Sequence, residues 1–227
     1  MLCYAPMADG SGRMEATFSR IYERNVWANA ESVSGPGSTI ARAADFIDDL
    51  VALLKHLDTR VLLDAACGDF NWAGPLADAV EQYIGVDVVS DLIVRNQHAS
   101  AGLRRRFIRA DLTADPLPQA DVILCRDCLV HFSFQDIVRA LHNFQHSGSR
   151  YVLTTTFIGR GANDDIATGA WRPLDLQAPP FALPPPLAVV DEKCTHTGGI
   201  YRDKRLALWT LAALPALTLG GADEARS

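Results

Sequence analysis

The stretch Val61–Trp72, VLLDAACGDFNW, restricts the fold more than any other part of this chain. Its first four residues are an apolar run ending in a carboxylate, the pattern of a strand buried on both faces. Four small residues follow, Ala65, Ala66, Cys67 and Gly68, and helix-compatible sequence resumes near Trp72. Strand, small-residue turn and helix in that order let a ligand approach backbone N–H groups. A second apolar run, Tyr83–Val86, ends in Asp87, 23 residues beyond Asp64. A carboxylate at that distance can accept hydrogen bonds from both hydroxyls of a ribose.

The rest of the chain repeats the alternation. Strands are expected at Arg60–Asp64, Gln82–Asp87, Phe107–Ala110, Val122–Cys125 and Tyr151–Phe157. Helices are expected between them, at 72–79, 90–99 and 133–143. This spacing predicts a mostly parallel sheet with helices on both faces. Ahead of the first strand, helical patterns over Glu15–Asn29 and Ile40–His56 flank the turn-rich SVSGPGS (32–38). Met1–Arg13 and the stretch after residue 212 carry no pattern and are expected to be loosely ordered. Residues 158–186, rich in Gly, Asn, Asp and Pro, form a long loop of the kind that is functional or disordered. Leu187–Val190 and Arg205–Ala212 read as closing strands. The whole is one domain: a lid over 14–56, a core over 58–212 and a tail over 213–227.

Composition closes off several classes. A net charge of −6 argues against an unaided grip on nucleic acid. No apolar run reaches membrane-spanning length, and no secretory leader pattern opens the chain, so neither a membrane nor export is expected. Five scattered cysteines suit a reducing cytoplasm. Cys125-x-x-Cys128 has no second pair to complete a metal site, and no metal is expected.

Which cofactor the turn after the first strand takes depends on its glycines. A dinucleotide fingerprint needs three where Ala66–Asn71 offers only Gly68, and Asp69 would oppose a pyrophosphate. A ligand with a cationic amino group tolerates Asp69, which favours S-adenosylmethionine over a nicotinamide dinucleotide.

The runs LLDAACGDFNW, YIGVDVV, ADVILCRDCLVHF and YVLTTTF resemble the successive motifs of class I S-adenosylmethionine-dependent methyltransferases. With SGPGS, CGDF-x-W and RD-x-x-x-H, the chain is most similar to a bacterial group of uncertain substrate. Ala66 and Phe70 depart from the glycines usual in the first motif. The resemblance implies a Rossmann-like fold with a seven-stranded sheet, its last strands a hairpin that inserts one antiparallel strand, and an N-terminal helical lid.

It also implies cofactor contacts at Asp64, Ala66, Gly68, Asp69, Phe70, Asp87, Val88, Asp111 and Leu112, with Trp27 and Ser38 from the lid. The competing role of each carboxylate is to cap a helix. Arg126, Asp127 and His131 follow the fourth strand, where this fold meets the methyl acceptor. If Asp127 opens a helical turn, it shares a face with His131 and can orient the imidazole as a general base. Arg126 could clamp an acidic group on the substrate. Asn163, Asp165, Trp171 and Arg172, on the long loop, are candidate acceptor contacts. The function expected is methyl transfer to a small-molecule or glycan acceptor, at a hydroxyl oxygen. A dinucleotide oxidoreductase and a non-catalytic cofactor-binding module are the alternatives.

Overall fold

The computed structural model describes residues 12–195 and 197–218. The expectations for Met1–Ser11 and for Leu219–Ser227 lie outside them. Seven strands form one sheet: β1 (Val61–Ala65), β2 (Gln82–Asp87), β3 (Arg105–Arg109), β4 (Val122–Cys125), β5 (Tyr151–Phe157), β6 (Ala188–Asp191) and β7 (Lys204–Thr210), in the order β3-β2-β1-β4-β5-β7-β6. The first five are parallel; β7 runs antiparallel between β5 and β6, pairing Phe157 with Lys204. This is the mostly parallel Rossmann-like sheet of the class I methyltransferase fold. Strand order reverses between β1 and β4, which opens a crevice at their carboxyl ends.

Successive strand residues point to opposite faces, so each strand feeds two cores. Leu63, Ile84, Ile123 and Val152 meet α6 (Phe134–His146), whereas Leu62, Tyr83, Leu124 and Leu153 meet α3 (Ile47–His56) and α4 (Gly74–Ala79). In α6, Ile137, Ala140, Leu141 and Phe144 make a stripe spaced i, i+3, i+4, i+7. Ser133 caps that helix by accepting from the Asp136 N–H.

Two helices differ from expectation where they shape the site. Helix α1 (Arg13–Glu23) stops six residues early, because Asn25 and Ala28 take positive φ and turn the chain back. That reversal carries Trp27 over His131, with ring centroids 5.0 Å apart. The second expected helix is split into α2 (Ile40–Ala43) and α3 by Phe46, whose ring is buried under Arg126 and against Trp72. The fifth helix, α5 (Ser90–Ser100), lies as expected between β2 and β3. Order also continues past residue 212: Leu214 and Leu217 are buried, and the Gln145 amide donates to the Leu211 and Leu214 carbonyls.

Candidate active site

A cavity of about 340 Å³ lies across the carboxyl ends of β1, β2, β4 and β5. Its size falls in the range of small-molecule sites. Ala66, Gly68, Asp64, Asp87, Val88 and Leu112 line one part of it; Trp27 and Ser38 border it from the N-terminal segment.

The loop after β1 is built on Asp87. Its Oδ2 accepts from the Gly68 N–H at 3.0 Å and its Oδ1 from the Val89 N–H at 2.9 Å. Asn96 holds the Gly68 carbonyl at 2.8 Å. Gly68 sits at φ +53°, and a Cβ there would lie 2.1 Å from Ser34 Oγ. Glycine is therefore required on two counts, by conformation and by the close approach of the N-terminal loop. Burial raises the Asp87 pKa, although the N–H donors oppose it. Asp64 is buried too and accepts from the Tyr83 hydroxyl at 2.5 Å. Burial lifts its pKa to about 7, so near neutrality it is shared between protonated and charged forms. Two buried carboxylates facing one cavity fit a ligand that brings hydroxyl donors and positive charge, as S-adenosylmethionine does.

Of three other residues expected at the cofactor, Asp69 lines the cavity and Asp111 and Phe70 do not. Asp69 accepts from Ser32 Oγ, the Val33 N–H and Ser34 Oγ at 3.0–3.3 Å, so it fastens the 32–38 loop to the core. Asp111 takes the backbone N–H and hydroxyl of Thr113, an Asx turn, and does not line the cavity; its neighbour Leu112 does. Phe70, at φ +57°, turns its ring away from the cavity, to Tyr83 and Phe107. Glycine's usual place there is taken by a residue whose side chain fills the second core.

The cluster after β4 also departs from expectation. Arg126 is buried between the rings of Phe46 and Trp72, at 4.8 and 4.9 Å. It donates to Glu192 from Nε and Nη2 at 2.9 and 2.7 Å, and to the Gly37 carbonyl. Those bonds fix it to the protein, and it also lines the cavity. Lys204 Nζ donates to Asp127 at 2.6 Å and reaches Glu192 at 3.1 Å. Burial alone would raise the Asp127 pKa, but the Lys204 and Arg126 charges outweigh it and hold the carboxyl well below the usual range.

Asp127 takes φ +52° and no helical turn starts there, so its carboxylate serves Lys204 in place of His131. The imidazole is oriented instead by backbone: Nδ1 lies 2.8 Å from the Ala170 carbonyl. A carbonyl only accepts, so Nδ1 carries the proton and Nε2 keeps a lone pair. Burial lowers the His131 pKa, which keeps the ring neutral at physiological pH.

On the long loop only Trp171 lines the cavity. Asn163 is consumed by the backbone of Asp175 and Pro179, and Asp165 accepts from the Phe134 N–H at the start of α6. Arg172 is buried and donates to the carbonyls of Val130 and Phe132. These three bind the loop to the body of the protein, which explains an ordered course without strands or helices. Lys204, Tyr201 and Phe157, which sequence reasoning passed over, line the cavity beside His131. The signal for Lys204 was a charge ahead of an apolar run, one that its neighbour Arg205 shares. Cys125 and Cys128 are buried, and among the described residues no group of three His, Cys, Asp or Glu is arranged to hold a metal. Among those residues no helix is long and apolar enough to cross a membrane.

Comparison with known proteins gives three findings. No curated protein matches the chain in sequence. Solved structures that resemble it include magnesium protoporphyrin IX methyltransferase from Synechocystis PCC 6803. With bound S-adenosylmethionine, that structure is 16% identical at a TM-score of 0.49, over 71% of this chain and 83% of that one. With bound S-adenosylhomocysteine, it is 18% identical at 0.44, over 66% and 72%. A TehB-like methyltransferase from Corynebacterium glutamicum is 21% identical at 0.41, over 50% and 64%. The family model described as a methyltransferase domain matches residues 62–147, the segment from β1 through α6. The strand order and that match agree: residues 62–147, with carboxylates buried at the strand tips, are similar to a methyltransferase domain.

Proposed function

We propose that the protein methylates a hydroxyl oxygen of a small-molecule or glycan acceptor, with His131 as the general base. The observation that carries this reading is the Nδ1 contact to the Ala170 carbonyl, which leaves Nε2 as a lone pair on a neutral ring lining the cavity. Asp64, Gly68, Asp87, Val88 and Leu112 would hold the cofactor. When bound, it supplies an activated methyl carbon on sulfur: the oxygen–carbon bond forms as the carbon–sulfur bond breaks, the electron pair staying on sulfur.

The protein's own work is then positioning and proton removal. Alignment of acceptor and methyl group draws on the roughly 7–11 kcal/mol available from ideal orientation. The base contributes about 10²–10⁴-fold by taking the hydroxyl proton onto Nε2. Trp27 and the 32–38 loop exclude water from above the site. Cys67, Cys125 and Cys128, buried and not in disulfides, fit a reducing cytoplasm.

The test is calorimetry with S-adenosylhomocysteine on wild type and His131→Ala, followed by turnover on an acceptor. Micromolar binding in both proteins with turnover reduced about 10²–10⁴-fold in the variant is expected. An unchanged rate would remove the base role, and absence of binding in wild type would remove the cofactor site.

A further inference from the structure

The part of the cavity around His131 is lined by aromatic rings beside a cluster of charges. Phe157, Trp171 and Tyr201 pack edge to face, with centroids 5.1, 5.8 and 6.2 Å apart, and Trp27 lies over His131. The nearby side chains that could have hydrogen-bonded a polyol, Asn163, Asp165 and Arg172, are all turned to backbone partners. What remains is ring surface around a largely buried charge cluster of Asp127, Arg126 and Lys204. Lys204 Nζ donates to Asp127 and forms an ion pair with Glu192, and its side chain is 9% exposed.

We propose that the acceptor is a planar aromatic compound bearing a ring hydroxyl, its ring packed against Trp171 and Tyr201 and its oxygen facing His131 and Lys204. This rests on the assignment of the His131 part of the cavity to the acceptor. The chemistry of the base points the same way. Burial makes His131 a weaker base than free histidine, whereas an aliphatic hydroxyl is about as weakly acidic as water, with a pKa of about 16. A phenol, near 10, is far better matched. As the hydroxyl proton passes to Nε2, the oxygen gains negative charge in a water-poor site, where the Lys204 ammonium can stabilise it. Lys204 is thereby a catalytic residue, held in place by Asp127 and Glu192.

The experiment uses the full chain saturated with S-adenosylhomocysteine and three small probes: 4-nitrophenol, 2-naphthol and methyl α-glucopyranoside. Saturable binding of both phenols is expected, with none of the glucoside. Bound 4-nitrophenol should show the phenolate absorption at a pH about one unit below that required in solution. Lys204→Met should abolish that shift while the dye still binds. Trp171 is 42% exposed, so Trp171→Ala tests the ring contact without disturbing the buried ion pairs. It should weaken 2-naphthol about tenfold and leave S-adenosylhomocysteine affinity unchanged. Glucoside binding without phenol binding, or no phenol binding to the loaded protein, overturns the aromatic acceptor while the methyltransferase reading stands. Failure of S-adenosylhomocysteine itself to bind overturns both.

Discussion

Replacing Asp64 by Asn isolates the energetic cost of a buried carboxylate at the cofactor site. Asn keeps the shape and an oxygen for the Tyr83 hydroxyl, but it cannot ionise. In wild type the folded-state pKa is raised from 3.8 to about 7 by burial. A raised value means that the folded chain holds a proton which the unfolded chain has lost. The associated stability is complete below about pH 4 and is lost as pH rises to about 7. That displacement amounts to about 4 kcal/mol once the group is fully ionised. Asp127 and Asp136 have lowered pKa values and the opposite dependence, stabilising above pH 4 and failing in acid. They are common to both proteins and cancel in the difference. Urea unfolding of wild type and Asp64→Asn at pH 5, 6, 7 and 8 should show the variant gaining on wild type by about 3 kcal/mol between the two extremes. Parallel curves, within about 1 kcal/mol throughout, would show that Asp64 ionises freely in the fold and refute the argument.

Glu192→Ala should cost about 3–5 kcal/mol in urea unfolding, because Arg126 and Lys204 lose their shared buried counter-charge; a loss under about 1 kcal/mol would contradict it. Gly68→Ala should be destabilised by at least about 2 kcal/mol and bind S-adenosylhomocysteine at least about tenfold more weakly by calorimetry, since its Cβ meets Ser34 at a left-handed φ. Adding Ser34→Ala should recover part of that affinity. In Asp69→Ala the 32–38 loop loses its anchors, so hydrogen exchange at Val33 should rise while β1 stays protected.

Much of the architecture is legible along the chain because its causes are local. Apolar runs such as Val122–Cys125 read as buried strands, the small residues 66–68 as a tight turn, and with Ser133 as cap α6 starts one residue after its expected beginning. The carboxylates at the tips of β1 and β2 follow from the same reading, since a residue that ends a parallel strand must emerge at the crevice. What Asp127 and Arg126 do was not legible: their partners, Lys204 and Glu192, lie 77 and 66 residues away. Nor was the fate of Asn163, Asp165 and Arg172, whose types fit ligand contact and whose neighbours turn out to be carbonyls and N–H groups of the loop's own surroundings.

The amino-acid order alone thus determined which segments are strands and helices, where the chain turns, and that acidic groups gather at one end of the sheet. The tertiary structure decided which charges neutralise one another and which face the cavity. Those choices depend on β7 entering antiparallel beside β5 and setting Lys204 opposite Phe157. A buried charge is tolerated only where folding happens to deliver its opposite, and no local pattern encodes that meeting.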